Sequence, residues 1–169
     1  MANHLSDLVL AFLPVVAAAV VGGMATRSSI ATWYARLKKP SFNPPNAIFA
    51  PVWSILYASM VYAFYRVLAA PSSSGGAISS FLFQLALNAA WSIVFFRLRW
   101  ISGALFVIAG LLIGIAVCMV IFWQVDRLSS VLLVPYFLWV CFASVLNLSI
   151  WKLNRPLQLK LGSRKRDAT

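Results

Sequence analysis

The chain has 169 residues, of which 62% are hydrophobic and only 10% are charged, and its mean hydropathy is +0.88. A water-soluble domain carries about 25% charged residues, so this composition excludes an ordinary soluble enzyme or binding domain. The formal net charge of +11 could indicate a nucleic-acid partner, an anionic lipid surface or a membrane protein with sided loops. The positions of the charges distinguish these classes.

Five long apolar stretches follow one another along the chain, and the charges lie almost wholly between them. They cover residues 5–26, 46–69, 78–96, 101–123 and 129–151. Each holds about 20 residues, which at a rise of about 1.5 Å per residue crosses a hydrocarbon core of about 30 Å. The sequence therefore predicts an all-α membrane protein. Its five-transmembrane-helix bundle would be one membrane domain over residues 1–154, followed by a basic C-terminal tail over residues 155–169.

The first stretch has one feature of a secretion signal, since Ala17-Ala18-Ala19 is similar to a cleavage site. However, no lysine or arginine precedes it, and its apolar run is longer than the core of a cleaved signal. We interpret this stretch as a true membrane span.

The longest connection runs from Arg27 to Pro45, between the first two stretches. Ser28 or Ser29 could cap a helix there, and the apolar residues that follow have helical spacing, which predicts a short helix in this first loop. Three prolines then make the next segment stiff and non-helical. The loop could be an aromatic belt with basic anchors or a lid over the end of the bundle, and its length favours the lid. The predicted lid residues are Trp33, Pro40, Asn43, Pro44 and Pro45.

If successive loops alternate sides, one side of the membrane receives 12 of the 14 lysines and arginines. They lie in the first loop, in the third loop at 97–99, and from Lys152 to the end of the tail. Because loops on the inner side of a membrane are enriched in these residues, the pattern predicts the N-terminus outside and the C-terminus inside. It explains the net charge without a nucleic-acid partner. A tail that also binds anionic lipid is the remaining alternative.

The residues used by most catalytic and metal sites are scarce. The only histidine is His4, and the three acids, Asp7, Asp126 and Asp167, lie near span ends or in the tail. No carboxylate pair, metal-ligand cluster or nucleophile with a base can be recognised. We therefore predict no metal site and no conventional catalytic site. Transport through an intramembrane acid is also disfavoured.

Three stripes of aromatic and amide side chains remain inside the predicted spans, with members three or four residues apart and so on one helix face. They are Trp53 and Tyr57 on the second span, Gln84, Asn88, Trp91 and Phe95 on the third, and Trp139, Ala143 and Asn147 on the fifth. The rise per residue places the three tryptophans at overlapping depths, in the half nearer the first loop. They could pack the helices together. They could instead line a flat apolar pocket, in which indole offers a stacking face and an N–H donor.

Small residues four apart permit close helix contact, either inside the monomer or at a dimer seam. The pairs are Ala18 and Gly22, Ala19 and Gly23, and Gly110 and Gly114. Pro14, Pro51 and Pro135 each remove a helix hydrogen bond and permit a kink. Both interpretations of the small residues stay open at this point.

Four blocks of the sequence resemble the TspO/MBR family, the translocator proteins once called peripheral-type benzodiazepine receptors. The blocks are WYARLKKPSFNPP at 33–45, PVWSILY at 51–57, QLALNAAWSIVFF at 84–96, and VPYFLW with FA and LN at 134–147. They occur in order and at the family spacing. The resemblance covers about residues 8–154 and points to a bacterial member.

The resemblance implies a bundle that is often a homodimer, with a pocket closed by the first loop. Family ligands include protoporphyrin and other tetrapyrroles, benzodiazepine-type drugs and, in animal members, cholesterol. By motif position the implied ligand contacts are Tyr34, Trp53, Asn88, Trp91, Phe95, Trp139 and Ala143. Tyr57 is added because it shares a helix face with Trp53. The animal cholesterol motif contains a tyrosine, and residues 146–152 read LNLSIWK here, so cholesterol is not expected as the native ligand.

Three functions remain open. The leading one is a tetrapyrrole-binding membrane protein that acts as sensor, carrier or scavenger, with no permanently bound cofactor. The propionates of a bound porphyrin could pair with the first-loop cations Arg27, Arg36, Lys38 and Lys39, although topology explains the same charges. The second is light- and oxygen-dependent porphyrin degradation, for which Trp53 and Trp139 are the candidates implied by the resemblance. A tetrapyrrole transporter ranks third, because no coupling-ion site is recognisable.

Overall fold

The computed structural model describes the backbone of residues 4–166 and the side chains of residues 4–155. The helices are α1 (His4–Ile30), α2 (Asn46–Ala69), α3 (Gly75–Ser92), α4 (Ile101–Val125), α5 (Arg127–Leu132) and α6 (Val134–Arg166). A 3₁₀ turn at Tyr34–Arg36 lies between α1 and α2, and a π-helical turn at Ile93–Arg97 continues α3. Five segments are long and apolar enough to cross a membrane, the fifth being α5 with α6 up to Arg155. The predicted five-helix bundle is confirmed, and the short helix predicted in the first loop is present only as the 3₁₀ turn.

The five spans are arranged in a ring. α1 packs between α2 and α3, α3 packs on α4, and α4 packs on α6. α5 contacts both α2 and α4, which closes the ring. The fifth span therefore lies between the second and the fourth. The first loop, residues 31–45, lies at what we term the loop end of the bundle, and the connections near residues 70–74 and 126 lie at the opposite end.

Side-chain caps close the connections at the opposite end. Ser74 Oγ accepts a hydrogen bond from the backbone N–H of Ala77, at 3.3 Å, and begins α3; Asp126 accepts one from Ser129 N, at 3.0 Å, and begins α5. Asp126 also accepts hydrogen bonds of 2.8 and 3.0 Å from Arg66, which joins α2 to the connection between α4 and α5. These bonds from the Arg66 guanidinium hold the pKa of the Asp126 carboxyl well below its usual range.

The fifth span is broken near its start, and its helix begins two residues before the predicted position of 129. Pro135 is the second residue of α6 and has no N–H to donate to the carbonyl of Val131. Its ring also crowds that carbonyl, so α5 ends after six residues. Pro14 and Pro51, by contrast, lie within the continuous helices α1 and α2.

The prediction that Ser28 or Ser29 caps a new helix is wrong. Both lie in the last turn of α1, which continues to Ile30. Ser29 is buried, and its Oγ donates a hydrogen bond of 2.8 Å to the carbonyl oxygen of Phe96 in the π-helical turn. Because this hydroxyl has a partner on a neighbouring helix, α1 stays continuous and only the 3₁₀ turn remains helical in the loop.

Two of the small residues pack helices together inside the monomer. A Cβ at Gly114 would lie 3.4 Å from the Cβ of Gln84, so glycine allows α4 to approach α3 closely. A Cβ at Gly22 would lie 3.4 Å from Ser92 Oγ. At Gly23 no described atom lies within 4 Å of the built Cβ, and a dimer seam along that face stays a prediction.

Candidate functional site

A cavity of about 310 Å³ lies in the loop-end half of the bundle. Its walls come from α1, α2, the end of α3 with its π-helical turn, α6 and the first loop. Most of the lining side chains are aromatic or small. Ligand cavities in proteins have volumes of about 300–1,000 Å³ and mostly apolar walls, so this cavity has the size and character of a small-molecule site.

The structure brings together most of the residues that were predicted to contact a ligand. Seven of the eight line the cavity: Tyr34, Trp53, Tyr57, Trp91, Phe95, Trp139 and Ala143. The eighth, Asn88, is buried behind the wall, where its Oδ1 accepts a hydrogen bond of 3.3 Å from the Tyr57 hydroxyl. Asn88 therefore positions a lining residue instead of lining the cavity itself.

Aromatic rings of the cavity wall pack against one another in pairs. The centroid distances are 5.2 Å for Trp53 and Tyr57, 5.4 Å for Trp91 and Phe95, and 5.8 Å for Phe49 and Trp139. Such contacts hold each ring in place at little cost in side-chain freedom. The wall therefore consists largely of aromatic rings that contact one another.

The three predicted tryptophans differ in the state of their indole N–H groups. Trp91 Nε1 donates a hydrogen bond of 3.1 Å to Asn147 Oδ1, and Asn147 Nδ2 donates to the carbonyl oxygen of Ile101 at 3.2 Å. Among the described residues, neither Trp53 nor Trp139 has a hydrogen-bond partner for its indole N–H. Both tryptophans line the cavity, so its wall contains two indoles whose N–H groups have no partner among the described residues.

A series of hydrogen bonds leads from the cavity wall into the core. The Tyr57 hydroxyl donates to Asn88 Oδ1 at 3.3 Å, Asn88 Nδ2 donates to the Tyr136 hydroxyl at 3.1 Å, and that hydroxyl donates to Gln84 Oε1 at 3.0 Å. Tyr136 and Gln84 are fully buried. Gln84 Nε2 has no hydrogen-bond partner within the described part of the chain.

Tyr34 is the contribution of the first loop to the cavity wall. Its hydroxyl donates a hydrogen bond of 3.0 Å to Asn43 Oδ1, and its ring packs against Phe95 at 6.2 Å. Burial raises the pKa of Tyr34 to about 12, so the phenol stays protonated and continues to donate this hydrogen bond. Trp33 packs edge-on against the same Phe95 ring, at 5.6 Å.

The predicted lid residues lie behind Tyr34. Asn43 N donates to the Pro40 carbonyl at 3.0 Å, and Asn43 Nδ2 donates to the Pro44 carbonyl at 2.9 Å. None of Trp33, Pro40, Asn43, Pro44 and Pro45 is among the described residues that line the cavity. They shape the loop, and Tyr34 is the residue of this loop that lines the cavity.

Asn154, near the end of the fifth span, holds the first loop in a way that the sequence reasoning missed. Its Nδ2 donates to the Lys38 carbonyl at 2.9 Å, and its Oδ1 accepts from Lys38 N at 3.1 Å. The side chain is buried. Helical spacing could have found it, because Asn154 lies seven residues after Asn147 and therefore on the same helix face.

The cations of the first loop lie outside the cavity. Among the described residues, no lysine or arginine lines it. Lys39 contacts a lining residue, since its Nζ lies 4.6 Å from the centroid of the Tyr34 ring. Arg27, Arg36 and Lys38 are exposed.

The cavity has an opening between α1 and α2. Gly23 on α1, and Asn46 and Ala50 on α2, both line the cavity and are exposed. The wall from α1 was not predicted, because small residues such as Ala19 and Gly22 indicate close helix contact and not a ligand site. Phe49, another lining residue that was missed, precedes Trp53 by four residues and could have been found from that spacing.

Fold and site together define a class: a multi-pass membrane protein of five spans, with an aromatic cavity beneath its first loop. The chain belongs to the TspO/MBR family, whose model matches residues 10–152. It is 37% identical to protein CrtK of Rhodobacter capsulatus over 150 residues, covering 85% of this chain and 94% of that protein. It is 38% identical to the tryptophan-rich sensory protein of Cereibacter sphaeroides over 122 residues, covering 72% and 77%. It is also 38% identical to the human translocator protein over 130 residues, covering 72% and 75%.

Proposed function

We propose that this membrane protein binds a tetrapyrrole such as protoporphyrin in the aromatic cavity and acts as a sensor, carrier or scavenger of that ligand. The observation that carries the proposal is the wall itself. Trp53 and Trp139 offer flat faces and unpartnered N–H groups, and Trp91 and Phe95 stack on the third span. Flat conjugated ligands are bound by such surfaces through stacking and a few directed hydrogen bonds. The names of two relatives, a sensory protein and a translocator protein, agree with detection or movement of a ligand.

Two features suggest how a tetrapyrrole would lie. A tetrapyrrole is larger than most drug molecules, and the cavity of about 310 Å³ is at the lower end of ligand sites, so part of the macrocycle would extend through the opening between α1 and α2. We expect Lys39, whose Nζ lies over the ring of Tyr34, to attract a propionate at the loop end. A benzodiazepine-type ligand is smaller than a tetrapyrrole, and we expect more of it to lie inside the cavity.

A titration of tryptophan fluorescence with protoporphyrin in detergent tests the proposal. Wild type is expected to show saturable quenching, and Trp139→Phe to weaken the affinity about 3–10-fold because a stacking surface and an N–H donor are lost. Trp123→Phe is the matched control, since Trp123 is 51% exposed on α4 and does not line the cavity. Non-saturating quenching that is equal in all three proteins would mean that porphyrin only partitions into the micelle.

Light-dependent porphyrin degradation is the second candidate, with dioxygen as oxidant. It is favoured by the oxidisable indoles of Trp53 and Trp139 within one cavity. Illumination of the protein with protoporphyrin in air is expected to give products that differ from those of free porphyrin. Identical photobleaching in wild type, Trp53→Phe and Trp139→Phe would exclude this activity.

We also propose that the protein forms a homodimer and that its N-terminus lies outside and its C-terminus inside. In that orientation the cavity lies in the inner half of the bilayer, on the side that receives the basic loops. Labelling of single cysteines introduced at Ser28 and Ser73 in sealed cells would distinguish the two orientations. Cross-linking through a cysteine at Gly23 tests a dimer seam on α1.

A further inference from the structure

The hydrogen bonds behind the cavity all run in one direction. Each donor proton points away from the cavity, from Tyr57 to Asn88, then to Tyr136 and finally to Gln84. At the inner end, the NH₂ group of Gln84 is buried and has no acceptor among the described residues. Buried N–H groups without a partner are rare and unfavourable, so this end needs a physical explanation.

The same four side chains can form the same three bonds in the opposite direction. A primary amide places its oxygen and its nitrogen in positions of nearly equal shape, so a half-turn of the amide exchanges them without moving other atoms. If the amides of Asn88 and Gln84 both turn, Gln84 Nε2 donates to Tyr136, Tyr136 donates to Asn88 Oδ1, and Asn88 Nδ2 donates to Tyr57.

The two directions differ only at their ends. In the reversed direction the buried nitrogen of Gln84 has a partner, and its oxygen takes the unpaired position, which an acceptor tolerates better than a donor does. At the other end, Tyr57 now accepts from Asn88, and its own O–H is free. Tyr57 lines the cavity, and its hydroxyl oxygen lies 3.8 Å from the built Cβ position of Gly22, another lining residue.

We propose that the cavity selects ligands with a neutral hydrogen-bond acceptor at their inner end, and that binding such an acceptor reverses the four-residue chain from Tyr57 to Gln84. This inference rests on the proposed function only in that a flat ligand occupies the cavity. The acceptor receives the Tyr57 proton, and Gln84 gains the partner that its nitrogen lacks. Gln84 thereby favours ligand binding without touching the ligand, as a positioning residue.

The acceptor is expected to be a lactam carbonyl or an unprotonated ring nitrogen. A carboxylate is disfavoured because no lysine or arginine lines the cavity among the described residues, and an unpaired charge there would lose its hydration. The carboxylates of a tetrapyrrole would instead remain near Lys39 at the loop end. The ligand would thus be polar at both edges and apolar between them.

The test uses two probes that differ in one group: a 1,4-benzodiazepin-2-one and its analogue in which the lactam C=O is reduced to CH₂. Wild type is expected to prefer the carbonyl probe about 3–10-fold, the range for one hydrogen bond. The preference should vanish in Tyr57→Phe and shrink in Gln84→Leu. It should persist in Tyr62→Phe and Gln124→Leu, which change an exposed tyrosine and an exposed glutamine in the same way.

Infrared spectroscopy of an isotope-labelled carbonyl separates a hydrogen bond from a change in packing. The C=O stretch of the bound probe should lie lower in wild type than in Tyr57→Phe, and Gln84→Leu should raise it part of the way. A preference and a stretch that are unchanged in both variants would overturn the proposal. So would a stretch that responds only to Trp53→Phe or Trp139→Phe, because the acceptor would then bind an indole of the wall.

The outcome is separable from the proposed function. If wild type binds protoporphyrin but Tyr57→Phe leaves the probe preference intact, the inference fails alone. If protoporphyrin does not bind but the preference follows Tyr57 and Gln84, the inference stands and the tetrapyrrole function fails.

Discussion

The two halves of the bundle use aromatic residues in opposite ways. In the half away from the first loop, Phe81 is fully buried between Phe64 and Phe122, with ring centroids 4.2 and 5.8 Å apart. In the loop-end half, the rings of Trp53, Trp139 and their neighbours surround a cavity of about 310 Å³. Similar side chains fill the core in one half and enclose a space in the other.

This difference between the halves indicates which part of a membrane bundle supplies stability and which part supplies a binding cavity. Lipid is as apolar as the side chains, so helices associate through close packing and hydrogen bonds and not through exclusion of water. The opposite half has this packing and the Arg66–Asp126 ion pair. The loop-end half is packed less closely because it contains the cavity, and hydrogen bonds to the first loop hold it in order. Substitutions should therefore separate into two groups, and four of them test that separation.

The largest effect is expected from Phe81→Ala. Removal of a ring that is 0% exposed leaves a void, at a cost of about 3 kcal/mol, near the lower end of measured Phe→Ala values because lipid also accommodates apolar groups. The thermal midpoint in detergent should fall by about 6–12 °C. Phe83→Ala is the control, since Phe83 is 62% exposed on the same helix. Weaker protoporphyrin binding by folded Phe81→Ala would contradict the separation of the halves.

Asp126→Asn should destabilise the opposite half by about 1–2 kcal/mol. It weakens the bonds from Arg66, whose partial exposure reduces their contribution. Because the folded pKa of Asp126 is depressed, the stabilisation is present above its ordinary value of 3.8 and is lost as the pH falls below that value. The thermal midpoints of wild type and variant should therefore stay separated near pH 7 and converge below about pH 4. A separation that is independent of pH would exclude the ion pair as its cause.

Asn154→Ala should release the first loop at a cost of about 1 kcal/mol in stability, since it removes two hydrogen bonds to Lys38. Trypsin should cut after Arg36 or Lys38 several-fold faster than in wild type, and ligand should dissociate faster. Asn154→Asp, which keeps the acceptor but loses the donor, should lie between the two. Leu153→Ala, at a residue that is 43% exposed, is the control. Equal cleavage in all four proteins would show that Asn154 does not restrain the loop.

Tyr34→Phe should have the smallest effect, about 0.5–1 kcal/mol, because one hydrogen bond to Asn43 is lost while the ring remains. The raised pKa of Tyr34, about 12, means that this contribution is complete below pH 10 and is lost as the pH rises through about 12. The ligand dissociation rate should rise about 2–5-fold at pH 7, with no change in the protease sensitivity of the opposite half. A drop in thermal midpoint as large as that of Phe81→Ala would contradict the separation of the two halves.

The sequence was sufficient for the fold and for part of the cavity wall, because both depend on simple periodicity. Spans of about 20 apolar residues have few alternatives in a bilayer. Stripes such as Trp53 with Tyr57 identify the helix face that turns inward. The break before Pro135 also follows from a known rule, although its exact position depended on where the helix began.

The remainder depended on which helices become neighbours. The wall from α1 is made mostly of small residues, and these can be recognised as lining residues only when α1 is placed beside α2 and α3. The partner of Ser29 on Phe96 and the partner of Asn154 on Lys38 lie 67 and 116 residues away along the chain. No local pattern reports contacts of this kind. Asn88 shows the same limit, since its stripe was recognised but its place behind Tyr57 required the packed bundle.

The long sequence separation between Lys38 and Asn154 has a consequence for biosynthesis. The first loop leaves the ribosome early, yet the residue that fastens it is near the end of the fifth span. A nascent chain with four inserted spans lacks Asn154 and also lacks Trp139, so it has neither the restraint on its loop nor the last aromatic wall. The cavity is therefore completed only when the final helix enters the membrane. Until then the first loop lacks its restraint by Asn154.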